Sequence, residues 1–153
     1  MKTHLSLPTR DVAAGVAFYQ TLLASAPAKH YADYALFISD SPGLELVLEL
    51  DPAAQAPASQ HYGIAADTSD EVEQAIARLE AAGYPIDVER GETCCYAVQT
   101  KVWASDPDGR RWETYFVSEE TEARDGGAQA CNADTEACDA TSETRNAATP
   151  ACC

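Results

Sequence analysis

The sequence lacks long apolar segments, which argues against a membrane protein. None of its apolar runs approaches the roughly 20 residues that a membrane-spanning helix needs. The stretch from Met1 to Pro8 has neither the basic region nor the long apolar core of a secretion signal. We therefore expect a cytoplasmic protein.

Basic side chains are scarce. Ten lysines and arginines stand against 25 aspartates and glutamates, which gives a formal net charge of -15. Such a surface repels the phosphates of nucleic acids and the headgroups of anionic lipids. Neither nucleic acid nor a membrane is an expected partner.

Large apolar side chains are missing from residues 119–153, which contain no Leu, Ile, Val, Phe, Trp or Tyr. Such a segment cannot bury enough apolar surface to offset its ordering entropy, of order 1 to 2 kcal/mol per backbone residue. We predict one domain over residues 1–118 and a disordered acidic tail over residues 119–153. Four of the six cysteines fall in this tail: Cys131, Cys138, Cys152 and Cys153.

The order of predicted elements repeats within the domain, with modules at about 1–55 and 59–118. Each module opens with a short strand that carries a histidine, His4 or His61, and continues into a helix. We expect Thr9 to cap the first helix, and Thr68 with Glu71 to form a capping box on the second. Strands follow in each half at Tyr34–Ile38, Leu44–Leu50, Ile86–Glu89, Tyr96–Ala104 and Arg111–Val117.

The third strand of the first module has only a weak pattern, around Lys29 to Tyr31. The strongest local signal is the turn Asp106–Gly109, because proline presets one turn angle and glycine tolerates the left-handed one. This turn predicts a hairpin between the last two strands.

Strand alternation groups three candidate metal ligands. Leu5 and Leu7 share one face of the first strand, so His4 takes the other face. By the same rule, His61 and Glu113 point away from the helix-packed face. Two imidazoles and one carboxylate suit Fe(II) used for oxygen chemistry, although the set would also bind Zn, Ni, Co or Mn.

The less specific interpretation is that these are ordinary strand residues. A lone histidine on a strand is more often structural than a ligand, and His30 is assigned to that class. His4 and His61 are singled out because they occupy corresponding places in the repeat and share their facing with Glu113. Arg111 and Tyr115 share the face of Glu113 and are candidates for supporting roles or ordinary rim residues.

Cys94 and Cys95 are adjacent, and their geometry limits what they can do. Neighbouring side chains of a regular strand point to opposite faces, so both sulfurs reach one atom only if residues 91–95 form a loop or bulge. Gly91 favours such a loop. Two adjacent thiolates would chelate a thiophilic atom; a strained vicinal disulfide and accidental adjacency remain the alternatives.

Several segments together resemble the organoarsenical carbon-arsenic lyases of the vicinal oxygen chelate superfamily, and the related proteins called cadmium-induced. The resemblance covers about residues 1–118. It rests on the helix ending in Ala17-Phe18-Tyr19, on Thr93-Cys94-Cys95-Tyr96-Ala97-Val98-Gln99, and on Asp106-Pro107-Asp108-Gly109 followed by Trp112-Glu113.

The resemblance implies an α+β fold of two β-α-β-β-β modules that face each other around a shared concave metal site. It also implies Fe(II) on His4, His61 and Glu113, and capture of trivalent organoarsenicals by Cys94 and Cys95. The implied reaction is dioxygen-dependent cleavage of the carbon-arsenic bond, which releases arsenite.

Other functions are compatible with the same fold. A ring-cleaving dioxygenase or a glyoxalase-like isomerase could use it, but neither explains the vicinal cysteines. Non-catalytic sequestration of cadmium or arsenite by thiols is a stronger alternative. The tail cysteines are interpreted either as an auxiliary arsenic trap or as part of an inert acidic extension.

Overall fold

The computed structural model describes residues 1–57 and 59–122, which form two modules of the same β-α-β-β-β order. The first module consists of β1 (Thr3–Thr9), α1 (Val12–Leu22), β2 (Lys29–His30), β3 (Tyr34–Ser39) and β4 (Leu44–Leu50). The second consists of β5 (His61–Ala65), α2 (Ser69–Ala81), β6 (Ile86–Cys94), β7 (Ala97–Ser105) and β8 (Arg111–Glu120).

Each module contributes one four-stranded sheet, with the strand orders β1-β4-β3-β2 and β5-β8-β7-β6. The first strand of each module pairs in parallel with the last, and the other neighbours are antiparallel. The weak pattern near Lys29 does produce a strand, but one of only two residues. The predicted two-module α+β fold is thus confirmed.

The start of the first helix differs from the prediction. Asp11, not Thr9, is the N-cap, and its side chain accepts a hydrogen bond from the backbone of Ala14. Thr9 belongs to β1 and is buried, with its hydroxyl hydrogen-bonded to the backbone of Asp11. Aspartate and threonine both suit an N-cap, so the sequence alone did not decide between positions two residues apart.

The second helix follows the prediction. Thr68 and Glu71 form both hydrogen bonds of a capping box, and Gly83 just beyond the helix has a φ of 78°. A left-handed glycine at this position is a common helix ending.

Two strands of the second module, β6 and β8, are longer than predicted. β6 continues to Cys94 through a bulge between Glu89 and Glu92, where Gly91 has a φ of 64°. β8 continues to Glu120, two residues beyond the predicted domain boundary. The tail cysteines lie outside the described residues.

One hydrophobic core joins the two modules. Tyr19 of α1 packs edge-on against Trp112 of β8, and Phe18 packs edge-on against Tyr84. The helices therefore cover one face of each sheet and leave the other face available for polar side chains. Neither α1 nor α2 is long and apolar enough to cross a membrane.

Candidate functional site

The face of the second sheet that the helices do not cover carries a row of polar side chains that crosses all four strands. His61 of β5, Glu113 of β8, Lys101 of β7 and Glu89 of β6 follow one another in this row. Trp112 precedes Glu113 on β8, so by alternation its side chain points to the opposite face, where it is buried in the core. The predicted facing of His61 and Glu113 is therefore observed.

His61 and Glu113 lie side by side. His61 Nε2 is 3.5 Å from Glu113 Oε1, and the Glu113 side chain is only 12% exposed. Gly63 stands directly opposite Glu113 on β5. A Cβ atom at Gly63 would come within 3.2 Å of both Glu113 Oε1 and Tyr115 Cε1, so glycine leaves the space that the carboxylate occupies.

Lys101 is a member of the row that the sequence interpretation missed. Its side chain is 2% exposed, and its Nζ atom lies 3.5 Å from Glu113 Oε2 and 3.8 Å from Glu89 Oε2. Lysine is rarely buried unless it is paired. The signal available in the sequence was the apolar run Val102-Trp103-Ala104 that follows it directly.

Trp103 supports the row from the same face. Its indole N–H donates a hydrogen bond to Glu89 Oε1 at 3.1 Å, and the ring packs edge-on against His61 with centroids 5.2 Å apart. The guanidinium of Arg111 lies 4.2 Å from the ring centroid. Arg111 thus contacts Trp103, which in turn contacts His61 and Glu89.

His4 lies apart from this row. It is on β1 in the first sheet, 60% exposed, with Nδ1 3.6 Å from Glu45 Oε2. Its strand neighbours Thr3 and Leu5 line a cavity of about 430 Å³ together with His61. By alternation His4 points to the opposite face of β1.

The described residues therefore contain a pair of donors, not a set of three. No group of three or more His, Cys, Asp or Glu side chains within them is close enough to hold a metal ion. An imidazole nitrogen and a carboxylate oxygen facing each other, with room kept by Gly63, fit part of a divalent metal site. The three-ligand site on His4, His61 and Glu113 stays a prediction.

The two vicinal cysteines occupy the hairpin between β6 and β7. Cys94 ends β6 and is buried, and Cys95 with Tyr96 forms the two-residue turn. Cys95 has a φ of 62°, in the left-handed region that glycine favours. Strain of this kind in a non-glycine residue is a recognised mark of functional sites.

The turn places the two sulfurs close together, with Cys94 Sγ 3.8 Å from Cys95 Sγ. Two thiolates that share a tetrahedral ion with bonds of about 2.3 Å lie roughly 3.8 Å apart. The pair thus has the spacing of a chelate, through a turn in place of the predicted loop. Cys95 is disulfide-bonded in this structure, but not to Cys94, whose sulfur is too far away for such a bond, so chelation by both sulfurs requires prior reduction.

The cysteine pair and the polar row are separated along the strand direction of the second sheet. Cys94 is opposite Ala97 on β7, whereas Glu113 is opposite Trp103. Six residues of extended strand span about 20 Å. Pairing between the two levels is irregular, with register shifts at Glu89/Glu92 and at Val98/Gln99.

Comparison with known proteins agrees with this architecture. A protein from Alicyclobacillus acidocaldarius, described as a glyoxalase/bleomycin resistance protein/dioxygenase, superposes with a TM-score of 0.65 at 22% identity, covering 78% of this chain and 92% of that one. This likeness concerns the fold.

Relatives in sequence are more similar. The cadmium-induced protein CadI of Mycobacterium tuberculosis is 39% identical over 121 residues, 79% of each chain. The trivalent organoarsenical cleaving enzyme of Thermomonospora curvata is 36% identical over 121 residues, 79% of this chain and 80% of that one. A probable enzyme of the same description from Bacillus subtilis is 30% identical over 128 residues, 84% of this chain and 88% of its own.

The resemblance to cadmium-induced and organoarsenical-cleaving proteins is thereby confirmed. A family model for these proteins matches residues 3–114 of the chain. The chain belongs to the Glyoxalase/Bleomycin resistance protein/Dioxygenase superfamily.

Proposed function

We propose that this protein cleaves the carbon-arsenic bond of trivalent organoarsenicals, such as methylarsenite or aromatic arsenicals, and releases arsenite. The observation that carries the proposal is the cysteine pair, whose sulfurs lie 3.8 Å apart on a turn in the same module as the His61–Glu113 pair. Relatives at 30% and 36% identity bear the name of such an enzyme, which supports the assignment.

Substrate capture is assigned to Cys94 and Cys95. In the reduced protein, each thiolate displaces one oxygen ligand of the trivalent arsenic, so two arsenic-sulfur bonds form and the arsenic keeps its carbon substituent. Holding the substrate in this way makes the later step intramolecular. A monothiol variant would hold the arsenical by only one bond.

The metal is assigned as Fe(II), with His61 and Glu113 as two of its ligands. When bound, Fe(II) would supply open coordination positions and the means to activate dioxygen, the co-substrate. Trp103 limits the rotation of the His61 ring, and Lys101 fixes one oxygen of Glu113. These side chains hold the donors in place before the metal arrives.

The third ligand, His4, is assigned to a second copy of the chain. Its exposed ring lies on the other sheet and faces away from the cavity that His61 lines. Glu45 stands near Nδ1, which leaves Nε2 available outward. In a symmetric dimer, His4 of each chain would join His61 and Glu113 of the other chain, which completes two equivalent sites.

Mixing variants tests this arrangement. His4→Ala and His61→Ala should each lose tight Fe(II) binding, whereas an unfolded and refolded equimolar mixture should recover about a quarter of the wild-type sites, because half of its dimers have one intact site. Refolded single variants are the controls. Absence of recovery in a mixture shown to contain mixed dimers would refute the shared site.

Captured arsenic must still reach the metal donors, which lie about 20 Å away along the strand. The bulges at Glu89/Glu92 and Val98/Gln99 lie between the two places, where the ladder is already interrupted. Turnover therefore requires the tip of the β6–β7 hairpin to bend toward the polar row. Simple binding by the cysteines does not.

Thiol-based sequestration of cadmium or arsenite is the second candidate. The sulfur spacing fits a tetrahedral ion, and the relative at 39% identity is named cadmium-induced. Glu113→Gln distinguishes the two functions: sequestration should survive this change, whereas lyase turnover should fall to background. The measurement is arsenic speciation by chromatography after incubating reduced, Fe(II)-loaded protein with methylarsenite in air, with an anaerobic sample as control.

A further inference from the structure

The two carboxylate oxygens of Glu113 have different neighbours. Oε1 lies 3.5 Å from His61 Nε2, and Oε2 lies 3.5 Å from Lys101 Nζ. A carboxylate can bind a metal ion through one oxygen or through both. In this arrangement a neighbouring cation engages one of the two oxygens.

Lys101 is held where it is by its surroundings. The side chain is 2% exposed, its Nζ atom lies 5.4 Å from the centre of the Trp103 ring, and Glu89 Oε2 stands 3.8 Å away. That Glu89 oxygen is itself buried without a hydrogen-bond partner, while the other oxygen accepts from Trp103. The lysine therefore has little freedom to leave Glu113.

The row contains two acidic side chains and one lysine, and the lysine lies between them. A bound divalent ion beside Oε1 would be repelled by the ammonium group, and the effect is large at short range inside a protein. Lys101 therefore lowers the affinity of the site for metal while it restricts how Glu113 can bind.

We propose that Lys101 is a positioning residue that reserves Oε2 of Glu113, so that Glu113 offers a metal ion a single oxygen and one more coordination position stays open. The inference rests on the proposed metal site. The inference predicts that metal affinity rises when Lys101 is removed. The second Glu113 oxygen then becomes available, and a repelling charge is lost.

The test uses Co(II), whose absorption bands report coordination number, titrated into the reduced full-length protein. Lys101→Met should bind Co(II) at least about tenfold more tightly than wild type, with a changed visible spectrum. Lys29→Met is the matched control, since it removes the same charge from an exposed position on the other sheet. It should leave both affinity and spectrum unchanged.

Lys101→Met leaves two half-buried carboxylates without their cation, so it could fail to fold. A second comparison removes that problem: Lys101→Met/Glu89→Gln against Glu89→Gln alone. The double variant should again bind Co(II) more tightly and show the same spectral change. The two backgrounds separate the effect on Glu113 from the effect of Glu89.

Equal or weaker Co(II) affinity in Lys101→Met and in the double variant, relative to their parents, would overturn the positioning role. An unchanged spectrum would overturn it as well. If wild type binds no Co(II) under any condition, the proposed metal site itself is wrong and this inference falls with it. The two failures are therefore distinguishable.

Discussion

The hydroxyl of Tyr19 donates a hydrogen bond to Asp106 Oδ2 over 2.7 Å, and thereby ties helix α1 of the first module to the β7–β8 turn of the second. The same Asp106 accepts from the guanidinium of Arg110 at 2.9 Å, and the indole of Trp112 donates to the Tyr19 oxygen at 3.2 Å. All four side chains are buried. This polar cluster holds the modules together from within the core.

Tyr19→Phe should lower the free energy of unfolding at neutral pH by about 1–3 kcal/mol, because Trp112 and Asp106 each lose a buried partner. Burial, and then the charge of Asp106, raise the pKa of Tyr19 well above its ordinary value. The folded state therefore keeps a proton that the unfolded state releases above about pH 10, and stability falls as pH rises through that range. Urea titrations at pH 7 to 10.5 should show the difference between wild type and Tyr19→Phe shrinking at high pH; a constant difference contradicts the shifted pKa.

Asp108 provides the corresponding test in acid. Burial raises its pKa, but hydrogen bonds from Thr9 and Arg10 outweigh that effect, and the net pKa is lowered. Its contribution to stability is thus complete above the unfolded pKa of about 4 and is lost as pH falls below it. Asp108→Asn should be about 1–3 kcal/mol less stable than wild type at pH 7 and nearly equal at the lowest accessible pH. A gap that persists in acid would show that charge is not its source.

Gly63→Ala should disturb the carboxylate of Glu113, because the added Cβ would lie 3.2 Å from Oε1. We expect metal affinity to fall about tenfold, which corresponds to roughly 1.4 kcal/mol. Gly43→Ala is the matched control, since its Cβ would meet only the Met1 carbonyl oxygen at an ordinary 3.5 Å. Co(II) titration of both variants measures the difference. Equal affinities would mean that Glu113 is free to move away and that its position is not critical.

Cys95→Gly should separate stability from capture. Glycine relieves the left-handed strain at φ 62°, worth roughly 1–2 kcal/mol, so the reduced variant should unfold at a higher urea concentration than reduced wild type. Cys95→Ser removes the sulfur but keeps the strain. Both should lose tight binding of methylarsenite, measured as arsenic retained per chain after desalting. Retention at the wild-type level in either variant would rule out the chelate.

Local signals in the sequence predicted much of the fold. The capping box at Thr68 and Glu71, and the turn at Asp106–Gly109, depend on side chains only a few positions apart, and both are present. Alternation also gave the correct facing of His61 and Glu113, because a strand leaves only two choices. Element ends were less certain, as the cap at Asp11 shows.

The candidate site was only partly predictable. Lys101 was missed because a buried lysine is identified by partners on β6 and β8, and pairing between strands is not written in local sequence. Periodicity gave the face on which His4 lies, but not its separation from Glu113, which depends on how two sheets are arranged. Such long-range placement comes from packing of the whole core.

The backbone at Cys95 has a consequence for laboratory evolution. A library randomised at this one position and selected only for thermal endurance should become enriched in glycine, because the turn favours that residue. The same library grown on a toxic organoarsenical should keep cysteine despite its lower stability. Sequencing the two populations would thus compare the frequencies of glycine and cysteine at position 95 under the two selections. The comparison would show, without any purified protein, whether selection for stability and selection for arsenical resistance favour different residues there.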